Sequence, residues 1–190
     1  RATCAKLAKA VPGLDAVALA GHYERICLAY WRVASAAVML APSGSRHGYD
    51  VWREHWQEAL SLCGIGDPEP AAHALDLYRR DRLGRYRLYR DVPAALARLR
   101  ERVDAVAVVT NGPGDTQREK IAATGLDAHV DLVVTSGEVG RAKPGPEIFA
   151  AALHELDAAP GVAWHVGDSL SSDVAGARNA GLGGAIWLDR

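Results

Sequence analysis

Apolar residues in the first half of the chain recur at the three- and four-residue spacing of amphipathic helices. One apolar stripe covers residues 19–33, and a second covers residues 52–63 and stops at Gly64, which suits a left-handed helix cap. A third predicted helix ends near Gly84. Residues 41–48 are rich in glycine, serine and proline, which predicts a loop between the first two helices.

Near residue 88 the pattern changes to short apolar runs that alternate with helical stripes. A helix with Asp91 as its N-cap and Pro93 in its first turn is predicted before the first strand. The predicted elements that follow are strand 104–110, helix 115–124, strand 132–135, a helix from residue 146, strand 163–166, helix 172–180 and strand 185–188. This alternation predicts a Rossmann-like parallel α/β sheet with right-handed crossovers. We therefore predict a helical domain in residues 1–88 and an α/β core in residues 89–190.

Composition and charge are those of a soluble globular protein. Of the 190 residues, 49% are hydrophobic and 24% are charged, and the formal net charge is −1. No apolar run approaches the roughly 20 residues that cross a bilayer, and no signal peptide is visible. The 3 cysteines are widely spaced and predict reduced thiols, not a disulfide framework. These features predict a cytoplasmic protein without a membrane or nucleic-acid partner, and they leave its oligomeric state open.

Two segments carry residues suited to binding a phosphoryl group. Thr110, Asn111 and Gly112 follow the first predicted strand and lead into a helix, where a hydroxyl and backbone amides can face an anion. Lys143 lies in a Lys-Pro loop before another predicted helix, and its ammonium suits phosphate as a compact point charge. Taken singly, the first segment also fits a plain strand-to-helix turn, and the second fits a solvated surface lysine.

Asp168 and Asp173 follow the predicted strand 163–166 in the segment Gly-Asp-Ser-Leu-Ser-Ser-Asp. Carboxylates gathered at a strand end repel each other, and Mg²⁺ prefers one or two carboxylates together with phosphate oxygens and water. The helix macrodipole alone can account for Asp173, but it accounts less well for Asp168, which precedes the helix. The strand ends of a doubly wound sheet meet at one edge. Together the three segments predict Mg²⁺-assisted phosphoryl transfer.

These three segments resemble the haloacid dehalogenase superfamily of phosphohydrolases, and the run 110–121 resembles its N-acylneuraminate-9-phosphatase branch. The resemblance implies a HAD-like α/β core with an inserted helical cap. It also implies that a small phosphorylated metabolite, such as a sugar phosphate or nucleotide, is hydrolysed through an aspartyl-phosphate. The implied catalytic residues are Thr110, Asn111 and Lys143, the implied phosphate-binding residues are these three with Gly112, and the implied Mg²⁺ site contains Asp168 and Asp173.

The sequence departs from this family at one motif. The family nucleophile lies in an Asp-x-Asp motif after the first strand, and no two aspartates of this chain are two residues apart. We expect the chain to begin just beyond that motif. The first, central strand of the core is then also missing, between the strands that end near Thr110 and Gly167. The sequence therefore predicts an inactive fragment of a phosphatase.

Two alternatives remain open at this stage. A dehalogenase of the same superfamily needs no Mg²⁺, which the two aspartates disfavour. A non-catalytic anion- or nucleic-acid-binding module would use the arginine- and tyrosine-rich residues 78–90, although a solvated helix face fits the same pattern better. Arg46, His47, Arg53 and His55 are polar residues in or near the cap loop that fit substrate contacts and ordinary surface equally well.

Overall fold

The computed structural model of the protein describes residues 1–37 and 48–190. These residues form two compact units, one from residues 1–37 and 48–86 and the other from residues 87–190. The helices of the first unit are α1 (Ala2–Ala10), α2 (Ala16–Ala37), α3 (Gly48–Ser61) and α4 (Glu69–Leu83). The predicted loop at 41–48 lies outside the described residues except for Gly48, the first residue of α3.

The helical unit is held together by a core that draws on all four helices. Its buried members are Cys4, Leu7, Leu14, Leu19, Trp56, Ala59, Leu60, Ala71 and Ala74. Trp56 is the largest fully buried side chain, and the Tyr23 ring stacks on it with centroids 3.8 Å apart. Burial of such aromatic surface is a large stabilising contribution in a small helical unit. Gly64 has a φ of 80°, the left-handed conformation predicted from the sequence.

The second unit alternates strands with helices. Its elements are α5 (Val92–Arg100), β1 (Ala107–Thr110), α6 (Gly114–Thr124), β2 (Leu132–Thr135), α7 (Ser136–Val139), α8 (Glu147–Glu155), β3 (Trp164–Gly167), α9 (Ala175–Asn179) and β4 (Gly184–Trp187). Short 3₁₀ turns cover Leu126–His129 and Pro160–Val162, and a π-helical turn covers Leu170–Val174. Strand β1 pairs in parallel with β2, and β3 pairs in parallel with β4. The predicted Rossmann-like α/β fold is therefore confirmed.

The parallel strands do not form one continuous sheet. In the part of the chain that the structure describes, β1–β2 and β3–β4 are separate two-stranded sheets. Each strand therefore has one edge without a strand partner among these residues, and such edges carry backbone groups that need other hydrogen bonds. At the carboxyl end of β1, the Lys143 side chain takes up part of this role by donating to the Val109 carbonyl.

The buried hydrophobic core of the α/β unit is smaller than that of the helical unit. Its core cluster consists of Val134, Ile148, Phe149 and Ala152, from β2 and α8. Alternate residues of β3 are exposed, including Trp164 at 63% of its surface. Helix α5 buries no residue, although its sequence carries an apolar stripe. Asp91 occupies the predicted N-cap position of α5, but its side chain makes no capping bond and instead pairs with Arg190 at 2.6 Å. None of the described helices is long and apolar enough to cross a membrane.

Candidate functional site

Lys143 is the centre of a polar cluster at the carboxyl ends of β1 and β3. Its ammonium nitrogen donates to the backbone carbonyl of Val109 at 2.7 Å and lies 2.7 Å from Oδ1 of Asp173. The Lys143 side chain is only 10% exposed. An ammonium has three N–H donors, and these two contacts engage two of them. Lys143 therefore links the two separate sheets and keeps one donor for a further acceptor.

Asn111 holds the loop that carries Lys143. Its side-chain amide donates to the Lys143 carbonyl at 3.0 Å, and its side-chain oxygen accepts from the Lys143 N–H at 2.8 Å. The Asn111 side-chain amide thus pairs with the N–H and the carbonyl of the same residue, as a neighbouring strand would. In this structure the Asn111 side chain therefore positions the Lys143 loop.

Thr110 and Gly112 are held by two residues that the sequence analysis did not select. The Gln117 side-chain amide donates to the Thr110 hydroxyl oxygen and, at 2.9 Å, to the Asn111 carbonyl. Because the Thr110 oxygen accepts from Gln117, its own hydrogen can point elsewhere. The backbone N–H of Gly112 donates to the Ser136 hydroxyl at 2.9 Å. Gly112 has a φ of 136°, a conformation that favours glycine.

Asp173 is the buried anion of the cluster, with 5% of its surface exposed. Its Oδ1 contacts Lys143 and lies 3.0 Å from Nε2 of His165, and its Oδ2 accepts the backbone N–H of Ser169 at 2.9 Å. Burial alone would raise the pKa of Asp173, but the hydrogen bonds from Lys143, His165 and Ser169 outweigh it and lower that pKa. Asp173 is therefore ionised near neutral pH.

His165 completes the surroundings of Asp173. Burial lowers the pKa of His165, and the nearby charge of Lys143 adds to this, while the bond to Asp173 opposes it. The ring is therefore neutral at pH 7. Since an ionised carboxylate only accepts hydrogen bonds, Nε2 must carry the ring proton. Gly167 allows this packing, because a Cβ atom there would overlap the Asp173 carboxylate.

Asp168 differs from Asp173 in its exposure to solvent and in the contacts of its carboxylate. Asp168 is exposed, and among the described residues its backbone carbonyl accepts the Trp187 indole N–H at 3.0 Å. Asp168 can therefore offer a carboxylate to Mg²⁺, whereas both oxygens of Asp173 are engaged. The described residues contain no group of three or more His, Cys, Asp or Glu side chains that could hold a metal ion.

The fold thus brings Thr110, Asn111, Lys143 and Asp173 into one hydrogen-bonded cluster. The catalytic, phosphate-binding and metal-binding roles given to them and to Asp168 stay predictions. Sequence reasoning missed Gln117, Ser136 and His165, because each belongs to the cluster only through a tertiary contact. Gln117 alone had a local signal, one turn into a helix that follows a glycine-rich strand end.

Of the four polar residues singled out in the helical half, Arg53 and His55 are described, and these two make separate contacts. Arg46 and His47 lie outside the described residues. Arg53 pairs with Asp50 at 2.8 Å on the surface of α3. His55 is buried, with Nδ1 at 3.7 Å from the Cys27 sulfur. The substrate-binding and nucleic-acid-binding hypotheses for this half stay predictions.

A comparison with models of known protein families identifies the family of the chain. A family model described as haloacid dehalogenase-like hydrolase matches residues 14–181. The chain belongs to the haloacid dehalogenase-like hydrolases. This confirms the resemblance seen in the three strand-end segments.

Relatives and solved structures agree with this family. A phosphoserine phosphatase from Thermus thermophilus is 46% identical over 135 residues, which cover 71% of this chain and 53% of the relative. N-acylneuraminate-9-phosphatase from Homo sapiens is 36% identical over 143 residues, which cover 74% of this chain and 57% of the relative. A magnesium-bound HAD-hydrolase from Bacillus subtilis shares the fold, with a TM-score of 0.66 at 21% identity over 98% of this chain and 77% of that one. The chain spans about half the length of the curated relatives it matches.

Proposed function

We propose that the protein containing these residues is a Mg²⁺-dependent phosphomonoesterase that hydrolyses a small phosphorylated metabolite through an aspartyl-phosphate. The buried Lys143–Asp173 pair carries this proposal, because it fixes a cation at the carboxyl ends of two strands with one donor unused. The relatives named for phosphoserine and for N-acylneuraminate 9-phosphate support a small phosphorylated substrate. The residues 1–86 that are described would belong to the cap, and residues 87–190 to the core.

Lys143 would stabilise the negative charge of the transferring phosphoryl group. A preformed cation in a site with little water stabilises such charge more than the same group does in bulk solvent. The Asp173 carboxylate holds the ammonium through one contact, and the Val109 carbonyl accepts a second N–H. The third N–H would donate to a phosphoryl oxygen. Because Asp173 and Asn111 hold Lys143, the ammonium needs no rearrangement when the substrate binds.

Thr110 would bind a second phosphoryl oxygen through its hydroxyl. The Gln117 amide fixes the Thr110 oxygen as an acceptor, which leaves the hydroxyl hydrogen to donate to the anion. Asn111 would act on the phosphoryl group by orienting Lys143 through its two bonds to the loop.

Asp168 would hold Mg²⁺ with its exposed carboxylate, directly or through water, and Asp173 would support that site from the buried side. When bound, the ion neutralises charge on the phosphoryl oxygens. In the proposed reaction a carboxylate oxygen forms a bond to phosphorus as the bond to the leaving alcohol breaks, and water then releases phosphate. These 190 residues contain no Asp-x-Asp pair, so this step is proposed for the whole protein.

Phosphate binding tests the proposal on these residues. Isothermal titration with inorganic phosphate in the presence of Mg²⁺ should give a measurable affinity that Lys143→Met weakens by roughly tenfold or more, the value of a charge-assisted hydrogen bond. Lys120→Met removes an exposed lysine of α6 and should leave the affinity unchanged. Equal phosphate affinities in the two variants would refute the role of Lys143.

A second pair of variants avoids any disturbance of the buried ion pair. Thr110→Val keeps the branched shape and removes only the hydroxyl, so phosphate affinity should fall by about two- to tenfold. Thr124→Val is the matched control, because its hydroxyl bonds to backbone carbonyls at the end of α6. If Thr110→Val binds phosphate as tightly as Thr124→Val does, Thr110 does not contact the anion.

A further inference from the structure

The helical unit contains a cavity of about 410 Å³ that is lined by residues of α1, α2, α3 and α4 and by Arg85 just beyond α4. Small-molecule sites in proteins are typically ~300–1,000 Å³, mostly apolar, with a few polar groups that fix the ligand. All the lining residues belong to this unit. The cavity is therefore a candidate site in its own right, and it does not depend on the proposed phosphatase function.

Aromatic rings form one wall of the cavity. Tyr23 and Trp56 stack with an interplanar angle of 17°, and Tyr78 meets Trp56 edge-on with centroids 5.7 Å apart. All three residues line the cavity, together with Leu28. Stacked and edge-on rings restrain one another, so the wall is preformed and presents flat apolar surface. A ligand with a flat ring or another flat apolar body would gain most by packing against it.

Trp56 also carries an unused hydrogen-bond donor. Its side chain is 1% exposed, and its indole N–H has no hydrogen-bond partner among the described residues. A buried donor without an acceptor costs roughly 1–3 kcal/mol, and native structures seldom leave one unpaired. The exposed Trp187, by comparison, donates its indole N–H to a backbone carbonyl at 3.0 Å. An acceptor on a molecule in the cavity would satisfy Trp56 once a small movement of the wall exposes its N–H.

The charges on the cavity wall favour an anion. Arg82 and Arg85 both line it, and the Arg82 guanidinium lies 4.4 Å from the ring centroid of Trp52. Of the carboxylates on the wall, Asp81 is paired with Lys6 at 2.6 Å. Glu24 is the other lining carboxylate. Three arginines, Arg1, Arg82 and Arg85, therefore line the cavity with two carboxylates, one of which is already paired with a lysine. Guanidinium recognises planar anionic groups through two parallel bonds.

We propose that this cavity binds a small organic anion with a flat, preferably aromatic, body. The ring would pack against Tyr23 and Tyr78, and the anionic group would pair with Arg82 and Arg85. A small movement of the wall would let an acceptor atom take the Trp56 N–H. Each part of the ligand would thus contact a different group of the cavity wall. Neither a purely apolar molecule nor a simple inorganic anion satisfies all three.

The test uses naphthalene-1-sulfonate as the probe and the 190-residue protein labelled with ¹⁵N. The five tryptophan indole N–H resonances are followed during titration, and Trp56→Phe identifies the Trp56 resonance. We expect the Trp56 resonance to shift and to saturate at low-millimolar probe, while the exposed Trp164 and Trp187 resonances stay in place. An unchanged Trp56 resonance, or equal shifts at all tryptophans, would overturn the proposal.

Variants and a neutral probe test the charge. Arg82→Gln should weaken sulfonate binding by roughly tenfold. Arg80→Gln is the matched control, because Arg80 is 73% exposed, pairs with Asp76 and does not line the cavity. In the unaltered protein, 1-naphthalenemethanol should bind at least several-fold more weakly than the sulfonate. Equal binding of the two probes would overturn the proposal without any variant, and so would equal affinity in the two arginine variants.

Discussion

At the scale of single residues, the feature that needs a physical explanation is the burial of two opposite charges, Lys143 and Asp173. Desolvating both ions costs several kcal/mol each, and their attraction offsets this only when other hydrogen bonds satisfy the remaining donors and acceptors. Here the Val109 carbonyl accepts from Lys143, and His165 and the Ser169 N–H donate to Asp173. A pair arranged in this way holds an ammonium at a defined point, which is what a phosphoryl-binding site requires.

Replacing Asp173 by Asn should therefore destabilise the α/β unit strongly. The variant leaves the Lys143 ammonium buried without a counter-charge, and breaking a buried pair from one side costs on the order of 3 kcal/mol. Asp168→Asn changes an exposed carboxylate and should alter stability by less than about 0.5 kcal/mol. Chemical denaturation in metal-free buffer measures both. Similar losses in the two variants would show that the buried pair has no special structural role.

His165 should make stability depend on pH. Because burial lowers its pKa in the folded state, the unfolded chain, whose histidine titrates near ~6.5, takes up the proton first as the pH falls. Stability should therefore decrease as pH drops below about 6.5, by at most ~1.4 kcal/mol per pH unit. Denaturant midpoints from pH 7.5 to about 5.5 should depend less on pH in His165→Gln. The His154→Gln variant, which changes an exposed histidine, should behave like the unaltered protein. Denaturant midpoints of the unaltered protein that do not change with pH would contradict a role of His165 in the pH dependence.

At the scale of elements, the strand ends and the turns that follow them decide where the polar groups meet. Strand β3 ends at Gly167, and the π-helical turn Leu170–Val174 brings Asp173 back against that glycine. Ser169 closes the turn by accepting the Ser172 N–H at 3.2 Å. The turn therefore delivers the carboxylate to Lys143, and the absence of a side chain at residue 167 leaves room for it.

A methyl group at residue 167 should disrupt this arrangement. In Gly167→Ala the new Cβ would overlap the Asp173 carboxylate, so the turn must shift, at a cost of about 1–3 kcal/mol. Gly161→Ala is the control, because a Cβ there meets no atom within 4 Å. Thermal unfolding measures the difference, and phosphate affinity should fall only in Gly167→Ala. Equal melting temperatures of the two variants would show that the turn accommodates the methyl group without loss of stability.

At the scale of the whole molecule, the chain combines two units with separate cores. The helical core is built around Trp56 and the α/β core around Ile148 and Phe149, and no described residue belongs to both cores. Parallel strands normally lie within a sheet that is covered on both faces, yet β3 and β4 leave large apolar side chains exposed. The three polar segments nevertheless meet, because loop side chains bridge the two sheets where strand pairing does not.

The 190 residues should bind phosphate but show no phosphatase turnover. Lys143, Thr110 and Asp168 supply positive charge, a hydroxyl and a carboxylate for a metal, but no Asp-x-Asp pair supplies the attacking oxygen. Hydrolysis of p-nitrophenyl phosphate with Mg²⁺ should therefore match the rate without protein, since the covalent step is missing. Release of phosphate that depends on Mg²⁺ and disappears in Lys143→Met would show that another residue of this chain attacks phosphorus.

The sequence by itself determined the order of helices and strands, the parallel α/β class and the family, because apolar periodicity and strand-end motifs are local properties of the chain. It also selected Lys143 and Asp173. It could not show that they pair with each other, that Asn111 clamps the lysine loop, or that His165 and Gln117 complete the cluster. It likewise gave no sign of a cavity beside Trp56. Those facts depend on contacts between side chains of different elements, and only packing and the need to satisfy buried polar groups decide them.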